Sequence, residues 1–167
     1  NKLIKNEKYC LENVPNILAN SNSILTDVED KYDVKISDKT TIIPHGTFDP
    51  FLEEFETEYD DYTLNNILKK DKINISFIGR FEERKGFDIA VKAFNNILDR
   101  KDININLVGD ELDNHSDYDN NVKNLVKSEI VNFLGFTSRN DLSKIYINSD
   151  IIIIPSKYES FGLVAIE

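Results

Sequence analysis

Two carboxylates near the end of the chain, Glu159 and Glu167, flank a turn that suits a phosphate ligand. An apolar segment, Ile151-Ile-Ile-Ile154, leads into this turn, and a helical pattern follows Gly162. The first N–H groups of a helix have no backbone partner and attract phosphate, and glycine lets a ligand approach the backbone closely. Carboxylates repel phosphate, so we expect the glutamates to accept hydrogen bonds from hydroxyl groups on either side of a diphosphate. A sugar, a diphosphate and a ribose in that order describe a nucleotide sugar.

A basic loop earlier in the chain supplies positive charge for the same ligand. Arg80 and Lys85 lie in the segment Gly79-Arg-Phe-Glu-Glu-Arg-Lys-Gly86, which follows a predicted strand. Arginine holds phosphate oxygens in a fork, and lysine contributes a point charge. Fixed cations of this kind also stabilise negative charge that develops on a phosphate leaving group. We interpret Arg84, in the same loop, as a solvated cation.

Strands and helices alternate from residue 72 onwards, and this alternation is what positions the candidate residues. The predicted strands are Ile73–Ile78, Ile103–Val108, Ile130–Phe133 and Asp150–Ile154. Apolar residues at helical spacing lie between them, most clearly from Phe87 to Leu98. The pattern predicts an α/β fold with a parallel sheet covered by helices. Ligands of such sheets bind beyond the carboxyl ends of the strands, and every candidate residue follows a predicted strand.

Composition and charge exclude several classes of partner. The 167 residues, of which 40% are hydrophobic and 30% charged, are typical of a soluble globular protein. A formal net charge of −10 argues against nucleic acid and against an anionic membrane as general partners. The one cysteine, Cys10, cannot form an intrachain disulfide, which favours a reducing compartment such as the cytoplasm. The apolar runs are too short to span a bilayer.

The segment around the two glutamates resembles a known motif. Glu159-x7-Glu167, within the string P-S-x-x-E-S-F-G-L-V-A-I-E, resembles the E-x7-E motif of the retaining, nucleotide-sugar-dependent glycosyltransferases of family 4, which have the GT-B fold. The basic loop is similar to the G-R-x-x-x-x-K-G of that family. The resemblance implies that Glu159 contacts the donor sugar, Glu167 the ribose, and Arg80 with Lys85 the diphosphate. It also implies retention of the anomeric configuration and a Rossmann-like domain.

Two further segments resemble the donor site of the family. Val108-Gly109-Asp110-Glu111 looks like a G-x-G turn near the nucleotide, with Glu111 in place of the second glycine. Phe133-Leu134-Gly135 resembles an F-x-G segment whose backbone reads the base. We expect a UDP- or GDP-sugar donor and no required cofactor or metal. The resemblance implies Glu159, Arg80 and Lys85 as catalytic residues, and as donor-binding residues Gly79, Arg80, Lys85, Gly109, Leu134, Glu159, Ser160, Phe161, Gly162, Leu163 and Glu167.

The residues before the basic loop resemble other parts of the same enzymes. The pattern of residues 1–46 predicts short strands and helices and ends in Pro44-His-Gly46. This segment is similar to the tail of the N-terminal, acceptor-side domain of these enzymes. Residues 47–71 predict an acidic linker and a connecting helix, and residues 72–167 most of the C-terminal donor-binding domain. We expect a longer protein, because the chain ends in the first turns of a predicted helix. His45 is a candidate for the interdomain cleft.

The acidic loop 110–121 suggests two metal sites, and we favour neither. Asp117-x-Asp119 matches the D-x-D of metal-dependent transferases, but such spacings arise by chance in a sequence rich in aspartate. As a calcium loop, the segment lacks the next glycine and has Ser128 where a bidentate glutamate belongs. His45 and His115 are too far apart in sequence to argue for a metal site. We therefore predict no metal ligands.

Three functions stay open at the level of the sequence. The first is a glycosyltransferase that uses a saccharide, lipid-linked or protein acceptor, in the cytoplasm or at the inner face of a membrane. The second is a glycosidase in which Glu159 and Glu167 act as an acid and a nucleophile, as paired carboxylates do about 5 to 9 Å apart. The third is a non-catalytic Rossmann-like module that binds a nucleotide or a partner. Fold alone does not separate an enzyme from such a module.

Overall fold

The computed structural model describes residues 2–46, 67–109 and 120–166. Contacts divide the chain into two compact units, Asn1–Phe48 with Ser160–Ile166, and Asp49–Glu159 with Glu167. Most of the predicted linker lies outside the described residues. The boundaries 1–46, 47–71 and 72–167 therefore stay predictions.

Helices and strands alternate along the chain, as the sequence predicts. The described helices are α1 (Lys2–Asn13), α2 (Asn22–Tyr32), α3 (Phe87–Asn95), α4 (Asn120–Val126), α5 (Arg139–Asn148) and α6 (Leu163–Ile166). The described strands are β1 (Ile17–Ala19), β2 (Thr40–Ile42), β3 (Ile73–Ile78), β4 (Ile103–Val108), β5 (Val131–Gly135) and β6 (Ile151–Ile153). The predicted bounds of β3 and β4 are confirmed to the residue.

The first unit contains a two-stranded parallel sheet. Strand β1 pairs with β2, with Ile17 opposite Thr40. Helix α2 begins after Ser21, whose Oγ accepts a hydrogen bond from the backbone N–H of Ile24 at 3.2 Å. A serine at this position satisfies one of the free N–H groups of the first turn.

The second unit contains a four-stranded sheet with the order β5-β4-β3-β6, and all its strands are parallel. This arrangement confirms the predicted α/β class, because parallel neighbours need a crossover and helices provide it. Capping by Ser138 starts the crossover helix α5. Its Oγ accepts from the N–H of Asp141 at 3.2 Å and donates to the carboxylate of that residue at 2.6 Å.

Helix α3 packs its apolar side against one face of the larger sheet. Its buried residues, Phe87, Ala90, Val91 and Phe94, recur every three or four positions. They join a core that includes Phe77 of β3. Because Phe94 is only 1% exposed, truncating it to alanine would cost about 3–5 kcal/mol. This core holds the start of α3, and the basic loop before it, against the sheet.

The opposite face of the sheet carries a row of asparagines that we name the carboxamide ladder: Asn74, Asn104, Asn106 and Asn132. Asn104 Nδ2 donates to Asn74 Oδ1 at 3.0 Å, and Asn132 Nδ2 donates to Asn104 Oδ1 at 3.0 Å and to Asn106 Oδ1 at 2.9 Å. The first three are at most 6% exposed. Hydrogen bonding between them offsets the cost of burying amides. The ladder links β3, β4 and β5 side by side.

The helices of the described ranges are all short. None of them combines the length and the hydrophobicity that crossing a lipid bilayer requires.

Candidate functional site

Two glycines end the central strands of the larger sheet. Gly79 follows β3 and donates its N–H to the carbonyl of Val108 at 2.9 Å, and Gly109 follows β4 and donates to the carbonyl of Gly135 at 3.0 Å. A β carbon at Gly109 would lie 2.0 Å from the carbonyl oxygen of Gly79. The close approach of these two turns therefore requires glycine at position 109. Both predicted residues lie at the carboxyl edge of the sheet, where ligands of such sheets bind.

Leu134 lies at an irregularity in the pairing of β4 with β5. Leu107 is opposite Phe133, but the next residue, Val108, is opposite Gly135, so Leu134 is left out of the register. A bulge of this kind frees backbone groups from the ladder of strand hydrogen bonds. This suits the predicted reading of a base by the backbone here. The neighbouring Phe136 is 89% exposed and so belongs to no core.

The basic loop is anchored by an aromatic residue. Phe81 stacks on Phe87 with ring centroids 4.3 Å apart and also contacts Phe133 edge-on at 6.3 Å. A 3₁₀ turn, Glu83–Lys85, follows, and Gly86 leads into α3 with a φ of 71°. The anchored ring and the turn fix the path of the backbone on both sides of the charged residues.

Arg80 lies on the outer side of this loop. Its side chain is 63% exposed, and its Nη2 lies 3.3 Å from Glu82 Oε1. Arg84 Nη2 lies 2.9 Å from the same carboxylate oxygen. Arg84, which we interpreted as a solvated cation, is therefore half-buried and ion-paired. The exposed guanidinium of Arg80 is accessible to a phosphate.

Lys85 and Glu159, 74 residues apart, are in direct contact. Lys85 Nζ lies 2.5 Å from Glu159 Oε1, and the two side chains are only 17% and 24% exposed. Ser156 Oγ donates to the same oxygen at 2.8 Å. The structure thus brings together two of the three residues predicted to be catalytic. Arg80, the third, contacts Glu82 instead.

The surroundings of Glu159 keep it ionised. Burial alone would raise the pKa of its carboxyl, but hydrogen bonds from Lys85 and Ser156, with the charges of Lys85 and Arg84, outweigh burial and lower the pKa below 4.5. At neutral pH the site therefore offers a carboxylate, which accepts hydrogen bonds from hydroxyl groups. A group poised as a general acid would need the opposite shift.

Lys157, which lies at an undefined position of the motif, contacts the basic loop and the start of α3. Its Nζ lies 2.9 Å from Glu83 Oε1 and 3.0 Å from Asp88 Oδ2. Hydrogen bonds to Glu83 and Asp88 raise the pKa of Lys157, and the bond from Lys157 lowers the pKa of Asp88. No short-range pattern indicates this contact, because its acidic partners are 74 and 69 residues away.

The predicted residues from Ser160 to Leu163 belong to the first unit. Ser21 Oγ donates to the carbonyl of Ser160 at 2.6 Å, and Phe161 packs edge-on against the ring of His45 with centroids 5.4 Å apart. Asn20 Nδ2 lies 3.0 Å from His45 Nε2, which fixes the orientation of that ring. No local sequence pattern indicates the contact of Ser21 with Ser160, because the two residues are 139 positions apart. A role of His45 in an interdomain cleft stays a prediction.

The end of the motif is described in part. Gly162 has a φ of 78°, and a β carbon there would meet no atom within 4 Å. Leu163, which is 43% exposed, begins α6, and the N–H of Ala165 bonds to the carbonyl of Gly162 at 3.0 Å. Gly162 is therefore a left-handed turn with open space beside it. Glu167, predicted to contact the ribose, lies outside the described residues.

Within residues 2–46, 67–109 and 120–166, no group of three or more histidine, cysteine, aspartate or glutamate side chains is placed to hold a metal ion. The candidates Asp117 and Asp119 lie outside these ranges. What the described residues offer at the carboxyl edge of the larger sheet is fixed positive charge, a carboxylate and glycine turns. Such a set suits a ligand with both a diphosphate and hydroxyl groups.

Several known proteins are similar to this chain in fold or in sequence. The solved structure of Anabaena Alr3699/HepE in complex with UDP and glucose superposes with a TM-score of 0.69 at 20% identity, covering 98% of this chain and 44% of that one. The likeness supports the predicted GT-B type of fold. A relative from Methanocaldococcus jannaschii, described as the uncharacterized glycosyltransferase MJ1607, is 33% identical over 105 residues, which are 60% of this chain and 25% of that protein.

A third relative matches along nearly the whole chain. The D-inositol 3-phosphate glycosyltransferase of Corynebacterium urealyticum is 25% identical over 168 residues, covering 96% of this chain and 40% of that protein. The chain thus spans less than half the length of each of these three proteins. The sequence profile of the family described as "Glycosyl transferases group 1" matches residues 62–167, more than half of the chain. The chain belongs to the group 1 glycosyltransferase family.

Proposed function

We propose that the protein carrying this chain transfers a sugar from a nucleoside diphosphate sugar to an acceptor, with retention of configuration, and that this chain contributes the donor-binding half. The observation that carries the proposal is the contact of Lys85 with Glu159 at the carboxyl edge of the sheet. One side chain suits the diphosphate and the other the sugar hydroxyls. A β carbon at Gly79 would meet no atom within 4 Å, so this turn leaves room for the nucleotide beside it.

The proposed chemistry assigns each charge a task. As the bond between the sugar and the diphosphate breaks, the leaving group becomes more negative, and Lys85 with Arg80 stabilises it. Glu159 accepts hydrogen bonds from the sugar and orients its reacting carbon, while Glu167 holds the ribose. Ser160, Phe161, Gly162 and Leu163 are further candidates for donor contacts, and the backbone at Leu134 is the candidate for reading the base.

The donor is a UDP- or GDP-sugar in this proposal. UDP is the first candidate because the HepE structure is described in complex with UDP and glucose. The acceptor is a saccharide, free or lipid-linked, or a protein. We place the reaction in the cytoplasm, or at the inner face of a membrane through regions outside this chain. No cofactor and no nucleic acid take part.

Calorimetry on the full-length protein tests the proposal. UDP, GDP and ADP, with their common sugar conjugates, are titrated into wild type and into a variant with Arg80→Ala and Lys85→Ala. We expect tight binding of one nucleotide sugar and its loss in the variant. A matched control removes two cations before β4, at the opposite edge of the sheet: Arg100→Ala with Lys101→Ala.

Turnover with the donor so identified tests the catalytic role of the cations. Lys85→Ala should lower kcat by about 10²–10³-fold, corresponding to about 2.7–4 kcal/mol of lost transition-state stabilisation. Binding without any turnover on any acceptor would favour the non-catalytic module. Hydrolysis of a plain glycoside without nucleotide would favour the glycosidase. No binding of any nucleotide by the folded protein would overturn the donor site.

A further inference from the structure

Two segments that are distant in sequence meet on the second unit through one lysine. Lys157 Nζ lies 2.9 Å from Glu83 Oε1 and 3.0 Å from Asp88 Oδ2, so a single ammonium group joins two carboxylates. We name this arrangement of Lys157, Glu83 and Asp88 the clasp. An ammonium group has three donors and can serve both acceptors at once.

Backbone groups also join the two segments that the clasp connects. The N–H groups of Lys157 and Tyr158 point to the carbonyl of Arg84, at 3.0 and 3.4 Å. Gly86 lies so close to Pro155 that a β carbon there would fall 2.0 Å from the proline carbonyl oxygen. The segment 83–88 is therefore held against the segment 155–158 by side-chain and backbone contacts together.

The two residues of the proposed donor site lie within or beside these segments. Lys85 lies between the two carboxylates of the clasp in sequence, and Glu159 comes two residues after Lys157. Any separation of the segments would pull Lys85 away from Glu159. A clasp that keeps them together keeps the cation and the carboxylate at 2.5 Å before a ligand arrives.

The clasp also changes the charge around a phosphate site. Glu83 and Asp88 are acidic residues near Lys85 in a chain of net charge −10, and unpaired carboxylates repel a diphosphate. Lys157 pairs with both. Hydrogen bonds to Glu83 and Asp88 raise the pKa of Lys157, and the bond from Lys157 lowers the pKa of Asp88, so the charged forms of Lys157 and Asp88 are favoured. Lys92 adds a positive charge that also acts on Asp88.

We propose that Lys157 is a positioning residue for diphosphate binding: through Glu83 and Asp88 it fixes the basic loop so that Lys85 is preorganised for the phosphates. The inference rests on the proposed function and deepens it. Lys157 itself touches no ligand. It acts by raising the fraction of protein in the binding-competent arrangement, and a ligand then binds more tightly in proportion to that fraction.

The test compares a nucleoside diphosphate with its nucleoside. We titrate UDP and uridine into full-length wild type, Lys157→Met, Lys157→Arg and the control Lys101→Met. If wild type binds a guanosine or adenosine diphosphate instead, that nucleotide and its nucleoside replace UDP and uridine. We expect Lys157→Met to weaken UDP binding about three- to tenfold, as for a partly exposed charge pair, while uridine binding is unchanged. Lys157→Arg should restore UDP binding to within about twofold, because arginine keeps the charge and the donors. The control should bind both ligands as wild type does.

Hydrogen exchange supplies a readout that needs no ligand. The amides of Lys157 and Tyr158 should exchange faster in Lys157→Met than in wild type, and at the wild-type rate in Lys101→Met. A second variant, Glu83→Gln with Asp88→Asn, removes the two negative charges that pair with Lys157 and leaves the lysine. It should reproduce the faster amide exchange, which keeps the test decisive if Lys157→Met does not fold.

The outcomes separate this inference from the proposed function. If wild type binds UDP and the variants bind it equally well, the positioning role is wrong and the proposed function stands. If UDP and uridine weaken by the same factor, the clasp supports the fold in general and the inference is overturned. If wild type binds no nucleotide, the proposed function and the role toward diphosphate fail together, and hydrogen exchange still decides whether the clasp holds the two segments.

Discussion

Gly86→Ala should destabilise the second unit because a methyl group has no room between the basic loop and Pro155. Gly86 has a φ of 71°, a conformation that costs other residues about 1–2 kcal/mol. The added β carbon would also lie 2.0 Å from the carbonyl oxygen and 2.6 Å from the carbonyl carbon of Pro155. These are backbone atoms, so the segments must separate by about 1 Å to reach a tolerable distance, and overpacking of this kind costs about 1–3 kcal/mol. The sum is about 2–5 kcal/mol.

Gly162→Ala is the matched control for this substitution. Gly162 has a similar φ of 78°, but a β carbon there would meet no atom within 4 Å. Only the cost of the backbone conformation applies, about 1–2 kcal/mol. The difference between the two variants therefore isolates the steric clash from the strain of the left-handed conformation.

Native-state hydrogen exchange on the full-length protein measures the effect where it occurs. The N–H groups of Ile89 and Ala90 both bond to the carbonyl of Gly86 at 3.0 Å, so their opening free energies report on this turn. In Gly86→Ala these values should fall by at least 1 kcal/mol more than the values of the Ala165 amide fall in Gly162→Ala. Equal losses in the two variants would refute the argument that contact with Pro155 requires glycine.

Three further predictions concern other contacts. Glu159→Gln should be less stable than wild type at pH 7, because the lowered pKa of Glu159 means that its charge stabilises the folded state. The difference should shrink as the pH falls below 4.5, the ordinary glutamate value, and through the lowered pKa, where the folded protein loses this charge. Urea unfolding at a series of pH values measures the effect. Asn104→Leu should cost about 1–3 kcal/mol by thermal or urea unfolding, because it leaves the partly buried amide of Asn132 without one of its acceptors. Ser21→Ala should cost about 1 kcal/mol, measured in the same way, since α2 loses its cap, and Ser21→Asn should recover most of it.

The sheet was predictable because its signals are local. Ile73–Ile78 and Ile103–Val108 alternate isoleucine with polar residues and end in glycine, which marks a strand and its turn. The buried side of α3 likewise follows from helical spacing. Strand alternation alone would place the asparagines toward solvent, as on a half-exposed sheet. Their burial in the carboxamide ladder depends on pairing between strands 30 residues apart, which one sequence does not reveal.

Motifs mark the candidate residues of the site, but the sequence does not show which charged side chains pair with each other. The contact between Lys85 and Glu159 joins two motif residues, and the structure places them together. Arg80 instead pairs with Glu82, two positions away, and the sequence offered several acidic neighbours of equal standing. Lys157 lies at a position that the motif leaves undefined, so the motif gives it no role. Competition among surface charges is decided by fractions of a kcal/mol and by tertiary placement, so spacing does not settle it.

The carboxamide ladder has a consequence for how the chain reaches this fold. β3 begins Ile-Asn-Ile-Ser and β4 begins Ile-Asn-Ile-Asn, so a slip of two residues between them would keep apolar side chains on the same face. Such a slip would still move Asn74 away from Asn104 and break the hydrogen bond between their side chains, a cost that hydrophobic contacts alone would not impose. The asparagines therefore discriminate between the native alignment and its nearest competitor. Replacing all four with leucine would make the sheet more hydrophobic and its strand register less well defined. We expect a lower refolding yield and more aggregation before any loss of stability.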